Sequence, residues 1–237
     1  MATPSSTCIE RVAAGDNHVL ALTQAGAVLS FGHGEHGRLG HGDLESRHEP
    51  KAIEALRGTR VAAIAAGNHH NMLLTDEGDV LSIGWGFRGP LGHGDEVNQY
   101  VPKAIEALRD RRVVAIAACG FHSMVLADEG TVLSFGRGDL GQLGHGDEVN
   151  QYVPKAIEAL RGTRVVAISA GLRHSMVLTD EGAVLSFGEG IYRQLGHGDK
   201  KDQRVPKVIE ALHGTRVVAI SAGGSHSMVL TLSLIHI

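Results

Sequence analysis

Fifteen of the 237 residues are histidine, and their spacing makes them the first candidates for chemistry. His18, His70, His122, His174 and His226 stand 52 residues apart, as do His41, His93, His145 and His197. Repeated imidazoles invite a metal, but zinc ligands must converge to roughly 2.0–2.1 Å of one ion. One position repeated in successive structural units cannot converge, because packed sheets lie ~10 Å apart. The series His18, His70, His122, His174 and His226 is therefore read as structural. One imidazole per unit is expected to bond a neighbouring backbone carbonyl that fixes its tautomer, and no metal is expected.

Other apparent chemistry dissolves on the same test. Gly32 to Gly37 spells G-x-G-x-x-G after an apolar run, as do Gly84 to Gly89 and Gly136 to Gly141. A dinucleotide site needs a helix to begin there and aim its N–H groups at a pyrophosphate. The chain instead continues with RLGHGD, PLGHGD or QLGHGD, so the glycines are read as positive-φ turns packed against a neighbour. Asp43, Asp95, Asp147 and Asp199 are read as loop caps. An active site needs unlike groups meeting at one point, and this chain presents the same groups again and again. No catalytic residue and no cofactor is expected.

The elements that carry these residues follow from the repeat. Residues 91–109 and 143–161 are the same nineteen letters. The register divides the chain into units 9–60, 61–112, 113–164 and 165–216 with a partial unit 217–231, preceded by a disordered segment 1–8 and followed by 232–237. In the last full unit VVAISAG is a short β-branched run, and HSMVLT and AVLSFG joined by Asp180-Glu181-Gly182 predict a hairpin. RVPKVIEAL is ambiguous between helix and strand, and Pro206 favours an edge strand. Four antiparallel strands per unit result. Their apolar residues do not alternate with polar ones, as expected of sheets covered on both faces. Identical sheets stacked radially satisfy this, so the fold class is all-β: a partial β-propeller of four four-stranded blades plus a fifth-blade stub, with 52-residue repeats. A linear solenoid is the competing arrangement.

Composition agrees. Apolar residues make up 43% and charged residues 20%, which suits a globular chain. The net charge of −4 supplies no field for nucleic acid or an anionic membrane, so neither is an expected partner. Cys8 and Cys119 form no CxxC pair, MATPSST lacks the apolar stretch of a secretory signal, and no apolar run approaches ~20 residues. A cytoplasmic or nuclear setting is expected.

Positions that differ between units carry the individuality of the chain. One set follows each Ala-Gly turn: Asp16-Asn17, Asn68-His69, Gly120-Phe121, Leu172-Arg173 and Gly224-Ser225. The other occupies the Gly-rich loop: His33, Glu35, His36 and Arg38; Trp85, Phe87, Arg88 and Pro90; Arg137, Asp139 and Leu140; Glu189, Ile191, Tyr192 and Arg193. In an up-down-up-down blade both connections emerge on one rim. Aromatic and arginine side chains dominate interface energetics. Trp85, Phe87, Arg88, Phe121, Arg137, Asp139, Leu140, Leu172, Arg173, Glu189, Ile191, Tyr192 and Arg193 are therefore the expected protein-binding residues.

These motifs resemble the regulator of chromosome condensation repeat family. The resemblance rests on SFGxGxxGxLGHGD at Ser30–Asp43 and Ser134–Asp147, AGxxHSMVLT at Ala170–Thr179 and VPKxIEALxGTRVVAISAG at Val205–Gly223, and it covers about residues 9–231. It implies seven-bladed propellers used as exchange factors for small GTPases, as a plant ultraviolet-B receptor, and as interaction modules in large ubiquitin ligases. Four units and a stub are short of seven blades, which implies a fragment or partial propeller. The indel-free register leaves no room for the β-wedge of the nuclear exchange factor, and Trp85 alone is not the receptor's tryptophan cluster. The expected function is a non-catalytic module for a protein partner, with exchange activity on a small GTPase, or membership of a larger ubiquitin ligase, as alternatives. Leu232 to Ile237 breaks the repeat and is assigned no function; as an apolar tail it would join an unpaired blade edge, making such edges the expected place of self-association.

Overall fold

Each repeat lays down short β-branched and apolar runs separated by glycine, and each run becomes a strand. A computed structural model describes residues 8–232; the segments expected at 1–8 and 232–237 lie outside it except for Cys8 and Leu232. Blade 1 is Ile9–Ala14, His18–Thr23, Val28–Gly32 and Arg47–Ala52. Blade 2 is Val61–Ala66, His70–Thr75, Val80–Gly84 and Gln99–Ala104, and blade 3 is Val113–Cys119, His122–Ala127, Val132–Gly136 and Gln151–Ala156. Blade 4 is Val165–Ala170, His174–Thr179, Val184–Gly188 and Gln203–Val208, and the stub is Val217–Ala222 with Ser227–Thr231. Four four-stranded antiparallel sheets and one two-stranded sheet result, each in sequential strand order. This is the partial propeller expected.

The predicted hairpin forms between the second and third strands. Its register pairs His174 with Gly188 and Leu178 with Val184. The ambiguous RVPKVIEAL divides in two. Its proline half is the exposed fourth strand, where a missing N–H costs nothing, and Glu210–Leu212 forms a single 3₁₀ turn.

The core lies between blades. Leu20, Leu22, Val28, Ile53 and Leu56 of blade 1 pack against Val61, Leu73 and Ile83 of blade 2. Met72, Leu74 and Val80 of blade 2 pack in turn against Val113, Val125 and Phe135 of blade 3. Met72 thus faces forward and Leu73 backward along one strand, which explains the absence of polar alternation. The same grouping recurs between blades 3 and 4 and between blade 4 and the stub.

The histidine series forms a clasp across each junction. His70 Nε2 lies 2.9 Å from Ser123 Oγ of the next blade, His122 Nε2 lies 2.8 Å from Ser175 Oγ, and His174 Nε2 lies 2.9 Å from Ser227 Oγ. At the first junction His18 Nε2 meets Asn71 Oδ1 at 2.7 Å. The serine or asparagine then donates back to a loop carbonyl of the first blade: Asn71 to Arg38, Ser123 to Pro90, Ser175 to Gln142 and Ser227 to Gln194. The expected histidine-to-carbonyl bond is thus corrected: the carbonyl is present, but one side chain further along. Because the hydroxyl proton is committed to the carbonyl, Oγ can only accept, so Nε2 carries the imidazole hydrogen. His226 differs from its equivalents in being exposed on the stub, and blade 1 has Val19 at the clasp position of Asn71 and the serines.

The glycine before each clasp is there for the imidazole. A Cβ on Gly171 would sit 2.3 Å from His174 Cε1 and 2.6 Å from the Gly223 oxygen, and Gly15 and Gly67 meet their own histidines as closely. These glycines keep φ outside the left-handed region, so it is the lack of a Cβ and not backbone handedness that the place requires. Cys119 fills the position in blade 3, where the first strand runs one residue further and pairs Cys119 with His122. Gly120 takes the turn there with φ +47.

Burial pushes His70 and His122 down to about 3 and His174 down to about 4. The buried Nδ1 atoms of His18, His122 and His174 have no partner among the described residues, so a proton there would gain no bond. A depressed histidine keeps its full stabilisation above the unfolded value of ~6.5 and loses it as pH falls below. Urea midpoints should therefore drop between about pH 6.5 and 4, each of the three histidines contributing about 1.4 kcal/mol per pH unit, and His122→Gln should flatten the slope. A midpoint independent of pH over that range would refute the neutral clasp. His122→Ala should cost about 1–3 kcal/mol, read by the same titration at pH 7.5. Gly171→Ala should exceed Gly162→Ala by about 2 kcal/mol or more, because Gly162 is left-handed but open whereas Gly171 touches an imidazole and a backbone oxygen.

Candidate partner-binding rim

The two variable sets meet in space. Residues after the Ala-Gly turn join the first and second strands, residues of the Gly-rich loop join the third and fourth, and side chains from both touch. His69 and Phe121 from the first set lie 5.3 and 5.5 Å from Trp85 of the second, both edge-on. Trp85 is also stacked with His36 at 5.2 Å and with Phe87 at 5.3 Å. One indole is thus ringed by four other rings drawn from blades 1, 2 and 3. Edge-on and offset rings are the favourable arrangements, worth about 0.5–1.5 kcal/mol per pair beyond burial. Phe87 remains 42% exposed, so the cluster has an open apolar surface.

Two arginines border the rings. The Arg88 guanidinium lies 5.4 Å from the Phe87 centroid and that of Arg137 lies 5.9 Å from Phe121. Both bond one carboxylate: Arg88 Nη1 reaches Asp139 at 2.8 Å and Arg137 Nε reaches it at 2.6 Å. Burial opposes the charge on Asp139, but the bond and charge of Arg137, with bonds from Arg88 and Gln142, hold its carboxyl below the usual range. In the same loop as His36, Arg38 is almost fully buried, its Nε donating to the Glu35 backbone carbonyl at 2.8 Å. Burial lowers His69, and the charges of Arg38 and His36 lower it further, against Asp16 and Glu35.

The loops that hold these groups are strained. His36, Arg88 and Arg193 have φ of +62, +69 and +63, and they are the non-glycine left-handed residues among those described. Each costs about 1–2 kcal/mol. All three lie in the Gly-rich loops of this rim. Arg193 stands where the loops of blades 1 to 3 have Gly37, Gly89 and Gly141.

Of the sequence-predicted residues, Trp85, Phe87, Arg88, Phe121, Arg137 and Asp139 come together. Arg173 and Glu189 form a separate pair at 3.2 Å on blade 4. Ile191 and Tyr192 are exposed there at 52% and 65%, while Leu140, Leu172 and Arg193 stand outside the ring cluster. Two members of that cluster, His36 and His69, were absent from the expected binding set. Both occupy variable positions, which was the signal available for them. A second missed pairing joins His41, His93, His145 and His197 to Ser30, Ser82, Ser134 and Ser186 at 2.9–3.1 Å, each serine also donating to a loop carbonyl. The loop-capping reading of the aspartates holds, with Asp43, Asp95, Asp147 and Asp199 each accepting from the N–H two residues on. Among the described residues no three His, Cys, Asp or Glu side chains gather as metal ligands, and no helix is long and apolar enough to cross a membrane.

Similar proteins place this architecture. The chain is 42% identical over 228 residues to the E3 ubiquitin-protein ligase HERC2 of Homo sapiens, covering 94% of this chain but 5% of that protein. It is 36% identical to the ultraviolet-B receptor UVR8 of Arabidopsis thaliana, covering 94% of this chain and 51% of the receptor. The chain therefore spans about half or less of the length of these relatives. Among solved structures, human WBSCR16 superposes with a TM-score of 0.86 at 27% identity, over 97% of this chain and 59% of that one. Prp20p of Saccharomyces cerevisiae, characterised for its binding to Gsp1p and histones, superposes with a TM-score of 0.85 at 25% identity, over 98% and 58%. The family model described as RCC1-like domain matches residues 1–229, and with the clasped four-stranded blades it shows that this chain belongs to the RCC1-like domain family.

Proposed function

We propose that this chain is a non-catalytic propeller module that binds a protein partner through the rim bearing the Trp85 ring cluster. The observation that carries this reading is the cluster itself. Five rings from three blades are gathered at one surface, with Phe87 open beside two arginines. Exposed aromatic and arginine groups on rigid supports are the usual anchors of recognition. Left-handed backbone at His36 and Arg88 adds support, since strain persists where the surroundings impose it, often at binding sites. Among the described residues, the repeated groups elsewhere do not bring acid, base and nucleophile together.

Two narrower readings come from particular relatives. The identity to HERC2 favours a propeller portion of a larger ubiquitin ligase. The likeness to Prp20p favours engagement of a small GTPase, with exchange by binding and distortion and no covalent step. Nucleotide release from a panel of small GTPases separates them: acceleration by this chain supports exchange, and its absence leaves the passive module.

The rim itself is tested by quantitative capture of partners on the immobilised chain. Trp85→Ala with Arg88→Ala should reduce capture about tenfold or more, as expected for a truncated anchor. Phe87→Ser, at a position 42% exposed, should reduce it at a stability cost of no more than about 1.5 kcal/mol, the worth of one ring pair. Undiminished capture by both variants would remove the rim from the reading.

A further inference from the structure

The charge of the rim is at odds with the charge of the chain. On blades 2 to 4 the variable positions carry Arg88, Arg137, Arg173 and Arg193 against two carboxylates, Asp139 and Glu189, on a chain of net charge −4. At the rings Arg88 and Arg137 are met by Asp139, and Glu96 accepts from the Arg88 backbone N–H at 3.2 Å, which leaves the two guanidinium forks as the cationic groups beside the aromatic faces. Asp139 is shared by Arg88 and Arg137, and each of these uses a single side-chain nitrogen on it, Nη1 and Nε respectively. Both guanidinium groups border an aromatic face. A side chain seated on Phe87 or Phe121 therefore brings its chain neighbours within reach of planar, fork-shaped donors that match carboxylates. On blade 1 the balance reverses, with Asp16 and Glu35 against a buried Arg38. The rim is thus apolar at its centre, fringed by arginines on blades 2 to 4, and anionic toward blade 1.

We infer that the rim takes an acidic segment of its partner, an apolar side chain seated on the Trp85–Phe87–Phe121 rings and carboxylates met by Arg88, Arg137 and Arg173. This rests on the reading of the rim as a protein-binding surface and adds the partner's chemistry. A polyanion such as nucleic acid fits less well, because backbone phosphates need a continuous row of cations, and here Asp139 and Glu189 interrupt it.

Trp85 is the chain's one tryptophan, so its emission reports on the rim. The probes are acetyl-Gly-Phe-Glu-Glu-Asp-Gly-amide, the charge-swapped acetyl-Gly-Phe-Lys-Lys-Lys-Gly-amide, and a single-stranded oligothymidine. The acidic peptide should produce a saturable change, weakened about tenfold or more by Arg88→Gln with Arg137→Gln and by raising ionic strength to about 0.5 M. Arg88→Glu with Arg137→Glu should transfer the preference to the lysine peptide. Equal responses to both peptides, tighter binding of the oligonucleotide, or no saturable response to the acidic peptide by about 1 mM would overturn the inference. A captured partner that Phe87→Ser loses but the double glutamine variant retains in full would also overturn it, while the rim reading stands. Capture unaffected by Phe87→Ser and by the Trp85–Arg88 double variant would remove both.

Discussion

No blade of this protein can stand alone, because each sheet is apolar on both faces. Met72 and Leu73 are adjacent in one strand and both are fully buried, one against blade 3 and the other against blade 1. Coverage by siblings is therefore a condition of folding. Hydrophobic contact is non-directional, so it alone would let sheets slide. The histidine clasp supplies direction: it leaves one blade at an imidazole, reaches the next at a serine, and returns to a loop carbonyl of the first. Stacking and register are thus separate contributions, from carbon and from hydrogen bonds. Both are renewed every 52 residues.

The rim inherits its rigidity from this arrangement. The Gly-rich loops lie above the carbonyls that the clasps hold, since Arg38, Pro90, Gln142 and Gln194 belong to those loops. Fixing one backbone oxygen in each loop anchors the variable residues beside it. Strained backbone at His36 and Arg88 is sustained on that footing, and the ring cluster closes over it.

The architecture was legible because repetition converts weak local signals into a strong one. Strand runs, turn glycines and the edge proline recur at fixed spacing, and the lack of polar alternation pointed to the radial stack. The division of RVPKVIEAL was not legible, since proline and helix-forming residues act on successive halves of it. The clasp was half legible. Each imidazole plainly belonged to the scaffold, but its partner sits 53 positions away in the next repeat, and serine is too common to mark itself. The glycine preceding it gave no hint of its cause, an imidazole lying across it. At the rim, variability pointed to loops whose side chains meet in space. It did not separate Trp85, Phe87 and Phe121, which converge, from Ile191 and Tyr192, which stand apart, because convergence depends on ring packing across blades.

Residues 91–109 and 143–161 are letter-for-letter duplicates, and every junction between blades is clasped in the same direction, from an imidazole to a serine or asparagine of the next blade. A whole module can then be gained or lost by recombination between matching gene segments without any surface having to be redesigned, since the new neighbours meet through an interface that already existed. Val19 stands where every later module has asparagine or serine, so blade 1 lacks the amide or hydroxyl that receives a clasp.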